Sequence, residues 1–428
     1  MSDVKVIDID GLKLVYAHTN VNNEFCLMPY FKTGAIDETD DNCGITHFLE
    51  HMFAKQTTNL SEKQMLKTLQ LYLPKYNAFT SFEKMALMCT TSIRYQEKMF
   101  AFFGDVIQNA VFTDERAKKE SKVIEQEICK YDVQNDAIAD DNIIKVLYDY
   151  PFAKNKILGT KENVLRTTGA DLTSRYKILA TKENMFLSYA GASSEEEVVR
   201  LVKKYFNNVP SNTNTKLNPP NVTINGKEQV YIQKKEDDTV SAIIALRCNF
   251  DESDKKQRQL SIILAHYFND QGHPMWNEMR EKQSLVYGYY SYIRTIGKSS
   301  SIFFEFETTK SNIKKCIKTY AKILTNLYNK GLTKKYFEEI KEAYKIVLDG
   351  KINVPYLYCN NNAKSFLNGY EFEDTCDIID ILDSLSVEDF NAFIKNVCKC
   401  DFVGASLVGN ISKRDMYTID ELKTLFYK

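Results

Sequence analysis

Between residues 209 and 227 the chain reads VPSNTNTKLNPPNVTINGK, a stretch rich in Pro, Asn and Thr. Its adjacent prolines, Pro219 and Pro220, cannot continue a helix. This stretch divides the 428 residues into two nearly equal parts. A chain of that length also outgrows one ordinary hydrophobic core. The expected organisation is a domain over 1–208, a linker over 209–227 and a second domain over 228–428.

The two parts carry the same succession of patterns. The first has an apolar run at 25–31, an acidic turn at 36–41 and a helix-like stretch at 44–54. The second has an apolar run at 242–246, an acidic turn at 251–254 and a helical stretch at 257–268. Both also end alike. The run 185–190, then Gly191 and a helix over 195–206, is echoed by 402–408, then Gly409 and 419–427. Strand, glycine-containing turn and amphipathic helix are the plain readings. Long amphipathic stretches, 114–132 and 311–328 among them, lie between. The fold expected is therefore α+β: two homologous domains, each a mainly antiparallel sheet with helices packed on one face.

Composition narrows the function classes. Lys and Arg number 56 against 57 Asp and Glu, a net charge of −1. No broad attraction to nucleic acid or anionic membrane follows from that balance. No apolar run approaches the ~18 residues that cross a bilayer, and the first residues do not read as a signal peptide. The ten cysteines are scattered, with Cys398 and Cys400 as a lone CxC. Reduced, mostly buried thiols and a cytoplasmic location are expected.

The sharpest motif is His47-Phe48-Leu49-Glu50-His51 in a chain with only 5 histidines. On a helix, residues three and four apart share a face. His47 and His51 can therefore grip one metal ion while Glu50 points at its open side, where a carboxylate can take a proton from water. HxxEH is the inverted order of HExxH and marks a zinc class. A catalytic zinc needs a third protein ligand. The segment ESKVIEQEICKY offers Glu120 and Glu127, seven apart and so on one helical stripe. One can ligate while the other fixes a ligand histidine. By spacing alone, the same Lys- and Glu-rich helix also reads as a solvated face.

GITHFLEHMFAKQT resembles the signature of the pitrilysin (insulinase) family of zinc peptidases, the inverzincins. In that family the third ligand is a glutamate about 75 residues past the second histidine, with another glutamate seven residues before it. Glu127 stands 76 residues after His51 (127 − 51), and Glu120 fills the earlier place. The resemblance implies one Zn2+ per chain on His47, His51 and Glu127, with Glu50 as base and Glu120 in support. Ala54 and Gln56 stand where the family commonly has Phe and Gly, and Thr46 replaces a usual small apolar residue. These departures bear on pocket shape and substrate choice.

Asn77-Ala78-Phe79-Thr80 leads through a polar turn into a strand-like run at 85–91. Such a segment suits an exposed sheet edge, to which an extended peptide adds by backbone hydrogen bonds. In the resembled family it is the edge strand that holds substrate. The second part lacks HxxEH but carries MREKQSLVY, similar to the family's Arg…Tyr element. Arg280 is expected to hold a substrate carbonyl or carboxylate, and Tyr287 to donate to an oxyanion. Gln283-Ser284 stands where Arg-Gly is usual. His18, His266 and His273 read as packed or surface histidines.

The resemblance implies a zinc endopeptidase acting on peptides or unfolded leader and presequence segments in an enclosed chamber. Two-domain members pair with an identical or a related chain. The alternative is a non-catalytic structural or partner subunit, since some members keep the fold without the ligands.

Overall fold

The structure is a computed structural model that describes residues 4–21, 23–149, 156–215, 217, 227–352 and 354–427. Of the expected linker, Lys216 and residues 218–226, including Pro219 and Pro220, lie outside the described residues.

The first sheet holds β1 (Val4–Ile9), β2 (Leu12–His18), β3 (Glu24–Phe31), β4 (Asn77–Thr80), β5 (Met85–Ser92) and β6 (Met185–Gly191). Its spatial order is β1-β2-β6-β3-β5-β4. The second holds β7 (Val230–Lys234), β8 (Thr239–Cys248), β9 (Tyr289–Ile296), β10 (Ser299–Thr309) and β11 (Val403–Gly409), in the order β7-β11-β8-β10-β9. Each sheet has one parallel pair, β2 with β6 and β7 with β11, and is otherwise antiparallel. With β1 set aside, the two orders are the same plan used twice. The fold is α+β.

The chain forms two compact units that are not contiguous in sequence. One comprises Met1–Cys129, Lys154–Pro220 and Gly350–Cys376, the other Lys130–Ala153, Asn221–Asp349 and Asp377–Lys428. In the first unit the helices α1 (Ile45–Phe53), α2 (Glu62–Tyr72), α3 (Gln96–Asn109) and α4 (Asp114–Tyr131) precede the crossover to β6. Much of the apolar core lies between the helices and one face of the sheet. Leu14, Leu27, Phe48, Phe53, Phe100, Phe103, Ile124 and Leu187 meet there.

Each sheet also carries one helix on its opposite face, and that helix comes from the other half of the sequence. In the first unit Pro355–Asn368 buries Cys359 and Ala363 against Cys26, Met28, Tyr30 and Phe186. Ser188 Oγ donates to the Cys359 carbonyl at 2.8 Å, pinning that helix to β6. In the second unit α5 (Asn135–Leu147) turns Ile138, Ile143, Ile144 and Leu147 inward and lies on β8 and β11.

Central strand β3 is buried from Phe25 to Phe31 despite containing Pro29. A proline costs a ladder hydrogen bond in mid-sheet. Here the pairing with β5 goes from Leu27↔Cys89 directly to Tyr30↔Ala86, so no bond is asked of Pro29 on that side. Among the described residues no helix is long and apolar enough to cross a membrane. None of the ten cysteines is in a disulfide, and all but Cys129 and Cys376 are buried.

Candidate metal centre

The start of α1 is built by the loop before it. Gly44 precedes the first turn at φ 89°, in the left-handed region, and a Cβ there would stand 2.6 Å from the Gly159 Cα. Only glycine satisfies both the dihedral and the gap. Glu38, 2% exposed, sits on the helix N-terminus. The Gly44 N–H donates to its Oε2 at 2.7 Å and the Thr46 N–H to its Oε1 at 2.8 Å. Two helix-end donors are thereby satisfied by a carboxylate at the positive end of the dipole. Phe48, Leu49, Met52 and Phe53 are fully buried, each contributing roughly 1.5–3 kcal/mol of apolar burial. That anchoring leaves Glu50 to meet β4, and His51 to meet α4.

On α4 the buried stripe is Ala117, Glu120, Ser121, Ile124 and Ile128. Glu120, within it, and Glu127, seven residues on, both reach the histidines of α1. His51 Nε2 lies 3.4 Å from Glu127 Oε2, and His47 Nε2 lies 3.8 Å from the same oxygen. The imidazole rings are 4.7 Å apart at 67°. His51 Nδ1 donates to Glu120 Oε1 at 3.1 Å, and Lys55 Nζ pairs with the other Glu120 oxygen at 2.8 Å. Thr80 Oγ1, on β4, donates to Glu50 Oε2 at 2.6 Å.

Electrostatics follow from this packing. Burial, reinforced by the neighbouring His51, drives the His47 pKa down to about 3, so its ring is neutral and able to ligate. Its Nδ1 is buried without a hydrogen-bond partner among the described residues, which further disfavours a second proton. Burial also opposes charge on His51, but Glu120, Glu127 and Glu50 outweigh it and raise that pKa. Burial raises Glu50 above the usual carboxylate range, against the pull of Thr80 and His51. For Glu120 the bonds from His51 and Lys55 overcome burial and lower it.

Three carboxylates around two imidazoles, with Lys55 bound to the outer one, make a site that favours a cation. The ligand atoms of His47, His51 and Glu127 all lie within 4.8 Å of one another, and they are the one such group among the described residues. A four-coordinate zinc with bonds of about 2.1 Å separates its ligand atoms by about 3.4 Å. Two nitrogens, one oxygen and this spacing fit such an ion, and Glu120 is placed to hold the His51 imidazole in one tautomer.

The other sequence candidates fall into place separately. Asn77–Thr80 is β4, at the edge of the first sheet, paired with β5 from Asn77↔Met88 to Thr80↔Met85. Arg280 and Tyr287 belong to the second unit. The Arg280 guanidinium lies 4.4 Å from the Trp276 ring centre and 5.2 Å from that of Tyr287, whose carbonyl accepts its Nη1 at 3.3 Å. Tyr287 is 87% exposed. Arg280 rides on a π-helical turn, Asn277–Lys282, a form that recurs at functional sites. Ser284 follows at φ 48°, in the left-handed region. His266 pairs with Asp270 at 2.8 Å, and His273 stacks on Tyr336 with 2.6 Å between Nδ1 and the hydroxyl. His18 Nδ1 lies 3.5 Å from the Tyr16 hydroxyl.

Sequence reasoning missed Glu38, Arg175 and Trp276. Glu38 had a signal, an acidic residue shortly before a helix start. Arg175 had none, because all its partners are remote in sequence. Trp276 is the sole tryptophan, and its place four residues before Arg280 was a helical cue.

Residues 14–161 match the family described as "Insulinase (Peptidase family M16)", and residues 166–344 match "Peptidase M16 inactive domain". The chain is 23% identical over 394 residues to the "Uncharacterized zinc protease YmxG" of Bacillus subtilis, covering 92% of this chain and 95% of that one. It is 29% identical over 186 residues to the "Probable mitochondrial-processing peptidase subunit beta, mitochondrial" of Arabidopsis thaliana, covering 44% of this chain and 35% of that protein. The crystal structure of a protease from Helicobacter pylori is similar at TM-score 0.85 and 16% identity, over 96% of this chain and 100% of that one. At that identity the likeness concerns the fold.

Proposed function

The chain belongs to the insulinase family of peptidases, peptidase family M16, and from that premise we propose that it is a zinc-dependent endopeptidase. Its substrates are peptides or unfolded leader and presequence segments. The observation that carries this reading is the meeting of His47, His51 and Glu127 donor atoms within 4.8 Å, with Glu50 beside them on α1.

In this reading His47, His51 and Glu127 hold the zinc, and Glu120 steadies His51. The bound ion supplies a Lewis acid that polarises a carbonyl and makes water more acidic. Glu50 draws a proton from the attacking water and returns it to the leaving amine. Its raised pKa brings it nearer to working pH, where one group can both take and give a proton. Thr80 keeps one carboxylate oxygen engaged and the other free for the water. An extended peptide adds to the outer edge of Asn77, Ala78, Phe79 and Thr80 by backbone hydrogen bonds, which confer little sequence preference. Arg280, of this chain or of its partner, holds a substrate carbonyl or carboxylate, and Tyr287 beside it donates to the oxyanion. The protein works in the cytoplasm, as a pair with an identical or a related chain enclosing a chamber. Support for pairing is the relative named as a subunit, and for the compartment, ten thiols without a disulfide.

The test is zinc content and turnover of unstructured peptides by the wild type and by Glu50→Gln. Stoichiometric zinc in both, with turnover in the wild type reduced about 10²–10⁴-fold in Glu50→Gln, is the expected result. A second reading, a companion subunit without activity, draws on the match of residues 166–344 to a domain described as inactive. A zinc-loaded wild type that cleaves no peptide would favour it.

A further inference from the structure

We infer that Arg175 and Thr46 are positioning residues that set α1, and with it His47 and Glu50, against the edge strand β4. The inference rests on the peptidase reading and extends it to residues that touch neither metal nor substrate.

Arg175 lies on the helix Gly169–Leu179 and is 7% exposed. Its guanidinium bonds to two segments remote in sequence. Nη1 and Nη2 grip Asp37 in a fork at 2.9 and 2.8 Å. Nη2 also reaches the Gly34 carbonyl at 3.1 Å. Nε and Nη2 both donate to Thr46 Oγ1, at 3.2 and 2.8 Å. Thr46 is completely buried, and its hydroxyl donates in turn to the Gly34 carbonyl at 3.2 Å. It is the residue immediately before His47.

The loop that Arg175 grips is held on its other side by the end of β4. The Ala35 N–H donates to the Ser81 carbonyl at 3.0 Å and the Ile36 N–H to the Phe82 carbonyl at 2.7 Å. A Cβ on Gly34 would stand 1.9 Å from the Ser81 carbonyl oxygen, so loop and strand end touch backbone to backbone. Ser81 follows Thr80, whose hydroxyl binds Glu50. The contacts close a ring: Thr46 of α1, Arg175, the 34–38 loop, Ser81, Thr80, and Glu50 of α1 again. Glu38, on the same loop, caps α1 through Gly44 and Thr46. A ring of short bonds with buried members fixes both the rotation of α1 and its distance from β4. Groups that fix a ligand's orientation from outside typically contribute 10–100-fold to metal affinity or activity.

Removing the hydroxyl leaves the buried Arg175 Nε–H without its acceptor and takes one of three acceptors from Nη2.

The test compares Thr46→Val, which keeps shape and loses the hydroxyl, with Thr46→Ser, which keeps the hydroxyl, in the full chain. Zinc affinity is read by chelator competition and kcat on an unstructured peptide. Thr46→Val is expected to hold zinc about tenfold more weakly and to lose about tenfold in kcat, with Thr46→Ser within about threefold of wild type on both. Equal zinc affinity and kcat in Thr46→Val and wild type overturn the inference, as does a Thr46→Ser protein damaged as much as Thr46→Val. If Thr46→Val fails to fold, Asp37→Asn replaces it. A threefold or larger loss of zinc affinity is then expected, and no change overturns the inference. A wild type that takes up no zinc overturns the peptidase reading instead, so the two failures are distinct.

Discussion

The Thr80 hydroxyl donates a 2.6 Å hydrogen bond to Oε2 of Glu50, joining the edge strand β4 to the helix that carries both histidines. A carboxylate on a helix has three rotatable bonds, and a short bond from a rigid strand selects one setting of them. One contact thus registers Glu50, the proposed base, against the strand proposed to hold the peptide.

Thr80→Val removes that bond at nearly constant volume. The expected result is a fall of about tenfold in kcat with zinc content unchanged, because Thr80 touches none of the three donors. Steady-state kinetics on an unstructured peptide, with metal analysis on the same sample, checks it.

Glu120 accepts from His51 Nδ1 at 3.1 Å and carries Lys55 on its second oxygen. Glu120→Ala leaves the His51 ring free to rotate and Lys55 without its counter-charge. Zinc affinity is expected to drop about 10–100-fold. Chelator competition measures it, and wild-type affinity in this variant would remove Glu120 from its supporting role.

Asp37 is held below the usual Asp range because the bonds and charge of Arg175 outweigh the opposing effect of burial. A carboxylate lowered on folding contributes stability that is present above its unfolded pKa of about 3.9 and is lost as pH falls through the lower folded value. Asp37→Asn is expected to be less stable than wild type by about 3 kcal/mol near neutrality. The difference should shrink as pH drops below about 4. Urea unfolding of both proteins across that window tests the sign.

Ser284 holds φ 48°, a conformation that L side chains adopt at a penalty of roughly 1–2 kcal/mol. Ser284→Gly is expected to leave stability unchanged or to raise it by up to about 1 kcal/mol, whereas a β-branched Ser284→Val should lower it by about 2 kcal/mol. Thermal unfolding distinguishes the two, and a clear loss in Ser284→Gly would mean that the serine hydroxyl stabilises the turn.

Legibility in the sequence tracked the range of each interaction. The His47, Glu50 and His51 face follows from the helical period alone, so five consecutive residues suffice to state it. The pairing of Glu120 with Glu127 on one stripe was equally local. Which α4 face turns toward α1 was not: spacing left a solvated face open, and the resemblance supplied the choice. The strand β4 was readable as a turn-to-strand junction, but its edge position depends on the order β3-β5-β4, set by pairings far apart in sequence. Arg175 was invisible because Asp37, Gly34 and Thr46 lie more than a hundred residues away. The exchange of α5 and Pro355–Asn368 between the sequence halves was likewise unread, since an amphipathic helix does not name the sheet it will cover.

Local geometry is legible in the chain alone: a helix with two imidazoles and a carboxylate in a fixed relation, a second helix with two carboxylates on one stripe, and the repeated strand patterns. Periodicity dictates these without any partner. Tertiary structure alone decided that Glu127 comes within 3.4 Å of His51, that Glu38 caps α1, and that one buried guanidinium ties α1 to the loop beside β4. Those contacts arise because buried polar groups must find partners wherever packing brings them, and packing is a property of the whole chain.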